Sequence, residues 1–347
     1  MTINFDYNSK IKEVYIIAEI GVNHNGSLDL AKKMILEAKK AGANAVKFQT
    51  YITEKLCHKN TPKVAYQINS ETSNESHYEM LKKLELNKRD HFEIKSFCDK
   101  NDITFLSTPY DVESAQFLNN DLNISIFKTA SADIIDIPLQ QYIASTNKPC
   151  FISTGMATIS EIERIYKIYK KFKNNNFAFL HCVSNYPCSD NSLNLNVISN
   201  LKNYFNITVG FSDHSIGPEA SVASVAIGAK IIEKHFTLDK SLAGPDQKAS
   251  SNPEEFKELV KQIRRVERML GNPIKSLQEE EKEMHRISRK SLHLTKNIKK
   301  NQIIYKDDIS MQRPGDGLNY DFLLYVVGKK AIKDLQKGHK INFGDIF

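Results

Sequence analysis

The sequence predicts an α/β fold: a closed (β/α)8 barrel followed by a small β-rich domain. Two observations predict the barrel. Short apolar runs of strand length alternate with helical patterns eight times, and the alternation fills about 270 residues, the span of one such barrel. A third observation predicts the appendix, since the composition after Gly271 turns charged and then β-like. A doubly wound dinucleotide-binding sheet is the competing arrangement, but no G-x-G-x-x-G appears at a strand end.

The first apolar run, Val14 to Ala18, is followed at once by Glu19 in the first loop, then by Gly21, Asn23, Asn25 and Gly26. A helix with Leu28, Ala31, Ile35 and Ala38 on one face ends at Gly42, a left-handed cap. Ala45 to Phe48 carries Lys47 inside it and Gln49 just after it. A lysine in a buried run is costly unless it meets a charge. The polar stretch 50–83, with Tyr66 and Gln67, reads as an elaborated loop, functional or decorative. A helix Asp90 to Lys100 leads to a strand Ile103 to Leu106, which ends in Ser107, Thr108 and Pro109, with Tyr110 next and Asp111 capping a helix to Leu118. Ser125 to Phe127 ends in Lys128, with Ser131 and Asp133 behind it, and Pro138 opens a short helix. Cys150 to Ile152 ends in Ser153, and Thr158 with Glu161 forms a capping box for a helix burying Ile162, Ile165, Tyr169 and Phe172. Phe177 to Leu180 ends in His181 and Cys182, with Ser184 and Tyr186 in the loop. Ile207 to Phe211 delivers Ser212, Asp213 and His214, and the small apolar helix Ala220 to Ala229 precedes Lys230 to Ile232. That eighth strand ends in Glu233 and His235, with Asp246 in the loop beyond. The last helix, capped by Asn252 and Glu255, buries Phe256, Leu259, Ile263, Val266 and Leu270, and Gly271 closes it.

The expected domains are therefore a barrel over 1–272, a charged linker over 273–289 that has helical character, and a β domain over 290–347. The β domain holds an internal repeat, Ile298-x-Lys300-x-x-x-Ile304-x-x-x-Asp308-Ile309 recurring as Leu335-x-Lys337-x-x-x-Ile341-x-x-x-Asp345-Ile346. Between the copies Arg313 stands in a Pro/Gly turn. A net charge of +7 suits nucleic acid, but both signs are spread along the chain and an anionic small substrate explains it as well; no nucleic-acid partner is expected. Five cysteines without CxxC spacing indicate neither a disulfide framework nor a zinc knuckle, and are expected as reduced thiols in a cytoplasm. No apolar run approaches membrane-spanning length and the start has no signal-type core, so a soluble, unexported protein with no membrane contact is expected.

In a (β/α)8 barrel the C-terminal ends of the strands carry the chemistry. That rule gathers Glu19, Lys47, Gln49, Thr108, Lys128, Ser131, Ser153, His181, Ser212, His214, Glu233 and His235 around one mouth. His214 and His235 fall at matching strand ends beside carboxylates, which suits a divalent metal such as Mn, Zn, Co or Fe. Lys47, Lys128, Ser131, Ser153 and Ser212 form a basic, hydroxyl-rich cradle for a phosphate and a carboxylate. The alternative is that these lysines pair with Glu19 or Glu233 and the serines cap helices. Glu19 is placed as a general acid or base.

The motifs AEIGVNHNGS, VKFQT, LSTP, ISTGM, HCVSNYP, GFSDHS, IEKHFTLDK with GPD, and QRPGDG, in that order, resemble the bacterial sialic acid synthases over essentially the whole chain. The resemblance implies a barrel joined to a C-terminal antifreeze-like (SAF) domain. It implies condensation of phosphoenolpyruvate (PEP) with an N-acetylmannosamine-type aldose, giving a nine-carbon ulosonic acid and phosphate. It also implies a metal on His214 and His235, most often Mn2+ with Mg2+ or Co2+ as substitutes. PEP would be held by Lys47, Thr108, Lys128, Ser131, Ser153, Ser184 and Ser212, and the sugar by Gln49, Tyr110, Tyr186, Glu233, Asp246 and Arg313, with Glu19 assisting catalysis. A domain-exchanged homodimer would bring Arg313 to the neighbour's mouth. Ser131-Ala132-Asp133 departs from the family's Ser-Gly-Glu, and Ser184 stands where Asn or Thr is common; both bear on which sugar is used. GPDQ is closer to the sialic and legionaminic branches than to the pseudaminic one. Two rival readings are a metal-dependent aldolase or isomerase on the same barrel, and a sugar-binding protein whose small domain does the work.

Overall fold

The computed structural model describes residues 13–64, 67 and 75–347; Tyr66 lies outside them. The chain divides into two compact units, Met1–Gly271 and Asn272–Phe347. In the first, eight parallel strands form one sheet: β1 (Tyr15–Gly21), β2 (Ala45–Thr50), β3 (Thr104–Pro109), β4 (Phe127–Thr129), β5 (Cys150–Ser153), β6 (Phe177–Cys182), β7 (Val209–Asp213) and β8 (Ile231–His235). β1 pairs with both β2 and β8, and β3 lies against β4, so the sheet curls into the expected barrel. All eight expected strands are present. Most run further toward their polar ends than the apolar runs did, so Glu19 lies inside β1 rather than in the first loop. β1, β3, β4, β7 and β8 also start one or two residues later than the apolar runs.

The side chains that fill the barrel follow from period-two alternation. Ile17, Ala45, Leu106, Ile126, Phe151, Ala178, Leu180 and Ile231 form an interior cluster separate from the large cluster between sheet and helices. β7 contributes Gly210 to this layer. A Cβ there would fall 2.4 Å from Leu180 Cδ2 and 2.8 Å from Ile231 Cβ, so glycine is what lets both neighbours fit.

The helices begin where capping residues stand. Thr158 and Asn252 form capping boxes with Glu161 and Glu255, opening Ile159–Lys171 and Pro253–Leu270. Asp111 caps Val112–Gln116, which continues as a π-helix over Phe117–Asp121. Phe256, Leu259, Val260 and Ile263 are buried in the last helix, but Leu270 is exposed, because the chain is already leaving the barrel there. Phe172 is likewise only partly buried, at its helix C-cap. No helix among the described residues is long and apolar enough to cross a membrane.

The second unit begins with the charged stretch, which forms a short helix at Lys282–Ser288. β9 (Ser291–Leu294) and β10 (Ile309–Gln312) pair antiparallel. The sequence repeat is visible in space. Ile298 and Leu335 bridge each other, and Ile304 and Ile341 are buried in the same core. Asp308 and Asp345 hold equivalent turns, each accepting a backbone N–H at 3.0 Å, from Tyr305 and Asn342.

Candidate active site

Two residues beyond the last interior position of each strand, the next inward side chain is Glu19, Lys47, Thr108, Lys128, Ser153, Cys182, Ser212 and Glu233. All eight line one cavity of about 500 Å3. Two residues further on, Gln49, Tyr110, Ser184, His214 and His235 line its upper part. Ser131, Tyr186 and Asp246 reach the same cavity from the loops after β4, β6 and β8. The alternation that packs the barrel floor thus also delivers Glu19, Lys47, Gln49, Thr108, Tyr110, Lys128, Ser153, Ser184, Ser212, His214, Glu233 and His235 to the cavity.

The floor is a buried charge cluster. Lys47 Nζ lies 3.2 Å from Glu19 and 3.5 Å from Glu233, and donates to Thr108 Oγ1 at 3.2 Å. Lys128 Nζ lies 3.7 Å from Glu233 and donates to Ser153 Oγ at 2.6 Å and to the Thr129 carbonyl at 2.8 Å. Ser212 donates to Glu233 Oε1 at 2.8 Å. The two readings of the lysines therefore both hold: they pair with the acids and they face the cavity. Burial pushes the Glu19 carboxyl up to about 7, Lys47 opposing the shift and Glu233 adding to it. At Glu233 burial acts the same way, but Lys128, Lys47 and the Ser212 hydroxyl overcome it and bring the group down to about 2. Of the two acids flanking Lys47, Glu233 ionises first and Glu19 keeps its proton to higher pH. Burial lowers the pKa of Lys128, with Glu233 opposing, whereas at Lys47 burial is outweighed by Glu19 and Glu233 and the pKa rises.

His214 and His235 stand side by side above this cluster, ring centres 5.4 Å apart. The Tyr186 ring packs 4.0 Å from that of His214. His214 Nδ1 is 2.7 Å from the Val183 carbonyl, which can only accept, so Nδ1 carries a hydrogen and only Nε2 is left for a ligand. His235 Nδ1 is buried without a hydrogen-bond partner, its nearest acid, Asp246 Oδ2, being too far at 3.9 Å. Burial, His214 and Lys47 keep the His235 ring neutral, and burial raises Asp246 to about 6. An unsatisfied neutral imidazole beside a second one fits a divalent cation. Among the described residues no group of three or more His, Cys, Asp or Glu has metal-site geometry. A cation held there would have two histidine nitrogens from the protein and its remaining positions open to water and substrate.

Asp246 is held by the loops around it. Asn23 donates to the Phe236 carbonyl at 2.9 Å and to Ser250 at 2.8 Å, and Gln247 donates to the Asn23 carbonyl at 3.0 Å. Asn23 and the Gln of GPDQ therefore lace the first and last loops together. Ser131 Oγ accepts from Gly155 N at 3.0 Å.

One expected mouth residue faces away. His181 ends β6 on the outward phase, stacked on Phe211 and bonded through Nε2 to the Leu193 carbonyl at 2.6 Å. Cys182 takes the inward place, 3.6 Å from His214 Nδ1. Counting two from Leu180 would have found it. Sequence reasoning also missed how much of the insertion forms the cavity wall: Leu56, Cys57, Thr61, Val64, Gln67, His77, Met80 and Leu81 all line it. The signal was its position, directly after the C-terminal end of β2. Asp133, flagged as a departure, lines the cavity with an unpartnered buried Oδ2, and burial with Asp136 raises it to about 7. Arg313 belongs to the second unit, where it is exposed in its turn.

Residues 34–275 match the NeuB family, and residues 289–346 match the SAF domain. The chain is 41% identical over 333 residues to the N,N'-diacetyllegionaminic acid synthase of Campylobacter jejuni, covering 95% of this chain and 99% of that one. It is 34% identical over 330 residues to the human N-acetylneuraminate-9-phosphate synthase, covering 94% and 91%. Among solved structures it is similar to the N-acetylneuraminic acid (sialic acid) synthetase of Leptospira borgpetersenii in complex with citrate, with TM-score 0.70 and 38% identity over 78% of this chain and 90% of that one.

Proposed function

The chain belongs to the NeuB family, and from that membership and the cavity chemistry we propose that it condenses PEP with a neutral N-acylmannosamine-type aldose and water, giving a nine-carbon ulosonic acid and phosphate. The observation that carries the reading is the cavity floor, where Lys47 and Lys128 stand among Thr108, Ser153 and Ser212, with Ser131 and Ser184 lining the same cavity. Such a floor suits one small ligand bearing both phosphate and carboxylate.

On this reading the lysines and hydroxyls hold PEP with its methylene carbon toward the upper cavity. Gln49, Tyr110, Tyr186 and Asp246 orient the open-chain sugar there, with Glu233 below. The PEP methylene attacks the aldehyde carbon, water adds to the carbon that carried the phosphate, and phosphate leaves. Lys47 and Lys128 stabilise the phosphate as its charge grows. Glu19, beside Lys47, gives its proton to the ring oxygen as the sugar opens or to the oxygen the aldehyde leaves behind, and as the carboxylate takes up the proton that water releases on adding. A divalent cation held by His214 and His235, most often Mn2+ in this family, would supply Lewis-acid stabilisation of the aldehyde oxygen.

The walls narrow the sugar. Leu56, Val64, Met80 and Leu81 from the insertion present an apolar surface, with Gln67 and His77 as its polar points. Lys47 and Lys128 are the only lysines among the described lining residues, which include no arginine, and both already face acids. A second phosphate, on the sugar, would have no cation of its own there. This supports a deoxy or hydroxymethyl N-acylated aldose over a sugar 6-phosphate.

Phosphate release is the test, run with PEP and, in turn, N-acetylmannosamine, its 6-phosphate and 2,4-diacetamido-2,4,6-trideoxymannose, before and after chelation. Release should require PEP, a neutral sugar and a divalent cation, and return with manganese. Release without a sugar, or preference for the 6-phosphate, refutes the reading; full activity after chelation refutes its metal.

A further inference from the structure

Between the residues that face the cavity on β7 and β8 lie two that face away from it, Asp213 and Lys234. They are paired in register, as Ser212 is with Glu233 on the inner face. Both are almost completely buried, each 1% exposed. Lys234 Nζ lies 2.9 Å from Asp213 Oδ2 and donates to the Ser215 and Gly217 carbonyls at 2.6 and 3.0 Å, so its three hydrogens are all used. Asp213 Oδ1 accepts from the Ser215 backbone N–H at 2.8 Å and from its hydroxyl at 2.6 Å, and Oδ2 accepts from Ser221 at 2.6 Å.

A buried ion pair adds little net stability over a well-packed apolar pair of the same volume. What this one adds is geometry. The ammonium gathers two carbonyls of the chain immediately after His214 and ties them to the residue immediately before His235. Ser212 and Glu233 tie the same two strands on the opposite face. We infer that the Asp213–Lys234 pair is a positioning clamp that sets His214 and His235 at the separation a shared divalent cation needs. Neither residue touches the substrate cavity, and the inference rests on the metal reading above.

The test uses the whole protein with Lys234→Met and with the doubly neutral Asp213→Asn/Lys234→Met. Three quantities are read: Mn2+ affinity from the loss of the free-ion paramagnetic signal, the melting temperature of metal-free protein, and the histidine 15N spectrum. The double variant removes the unpaired buried carboxylate that Lys234→Met alone would leave, so it stays folded if the single variant does not. The clamp predicts Mn2+ affinity weakened about 10- to 100-fold in the double variant although most of its melting temperature is regained. It also predicts altered His214 and His235 resonances without metal. A folded double variant with wild-type Mn2+ affinity and unchanged histidine resonances overturns the clamp. If the wild-type protein binds no Mn2+, the metal reading fails, while the histidine spectrum still decides whether the pair positions the two rings.

Discussion

The chemistry of the cavity floor depends on which of two neighbouring acids is ionised. Glu19 and Glu233 both approach Lys47, but Glu233 also has Lys128 and the Ser212 hydroxyl, and that extra pair of partners separates them. The consequence is measurable without substrate. Glu19 in the folded protein holds its proton to about 7, against an ordinary 4.5, so between those values the native state binds a proton that the unfolded chain has released. Stability from this group therefore falls as pH rises through that window. Glu233 behaves oppositely: its contribution is complete above 4.5 and is lost only as pH falls toward 2, leaving it constant between pH 5 and 8. Asp133 also titrates near 7, but it is present in both proteins of the comparison and cancels. Glu19→Gln should consequently gain melting temperature relative to wild type between pH 5 and pH 8, in metal-free, substrate-free protein. A gap of the same size at both pH values would mean that Glu19 is ionised throughout.

At the scale of the strand, one rule explains both what was legible and what was not. Apolar runs ending in polar residues gave the eight strands and the inward acids, lysines and serines, because each polar residue continues the inward phase of its own strand. The rule failed at His181, where residue type was followed instead of phase: histidine is the more conspicuous chemical group, but Leu180 faces inward and so the next inward place is Cys182. The insertion was beyond the rule, since its cavity-lining residues have neither helical nor strand period over their whole length. Loop close approaches are equally silent in sequence. At Gly155 a Cβ would lie 2.3 Å from Ser184 Oγ and 2.8 Å from Ser131 Oγ, so the loop after β5 passes against both hydroxyls. Gly155→Ala should displace the two serines while the strands stay as they are. The expected result is a rise of about tenfold or more in the Michaelis constant for PEP, equivalent to losing roughly one charge-assisted hydrogen bond, with a much smaller change for the sugar. Equal changes for both substrates would show that the serines are not on the PEP side of the cavity.

For the whole molecule, the question is why a turn arginine sits in a separate unit that has its own core and its own internal repeat. Arg313 is exposed, in a Pro/Gly turn of a unit that has its own core. A guanidinium donates several hydrogen bonds in a fixed fork to sugar hydroxyl or amide oxygens and stays ionised at working pH, and the described cavity lining has no arginine. The expectation that Arg313 supplies such a donor, to the other subunit of a domain-exchanged homodimer, is open to a direct test. Mixing denatured Arg313→Ala and His214→Ala proteins and refolding them together separates exchange from action within one chain. With exchange, a mixed dimer has one site with both groups intact and one lacking both. Random pairing makes half the dimers mixed, so about a quarter of wild-type phosphate release should return. If Arg313 serves its own chain, every site lacks one group and the mixture stays as inactive as either parent, which removes the exchanged dimer and leaves the reaction itself standing.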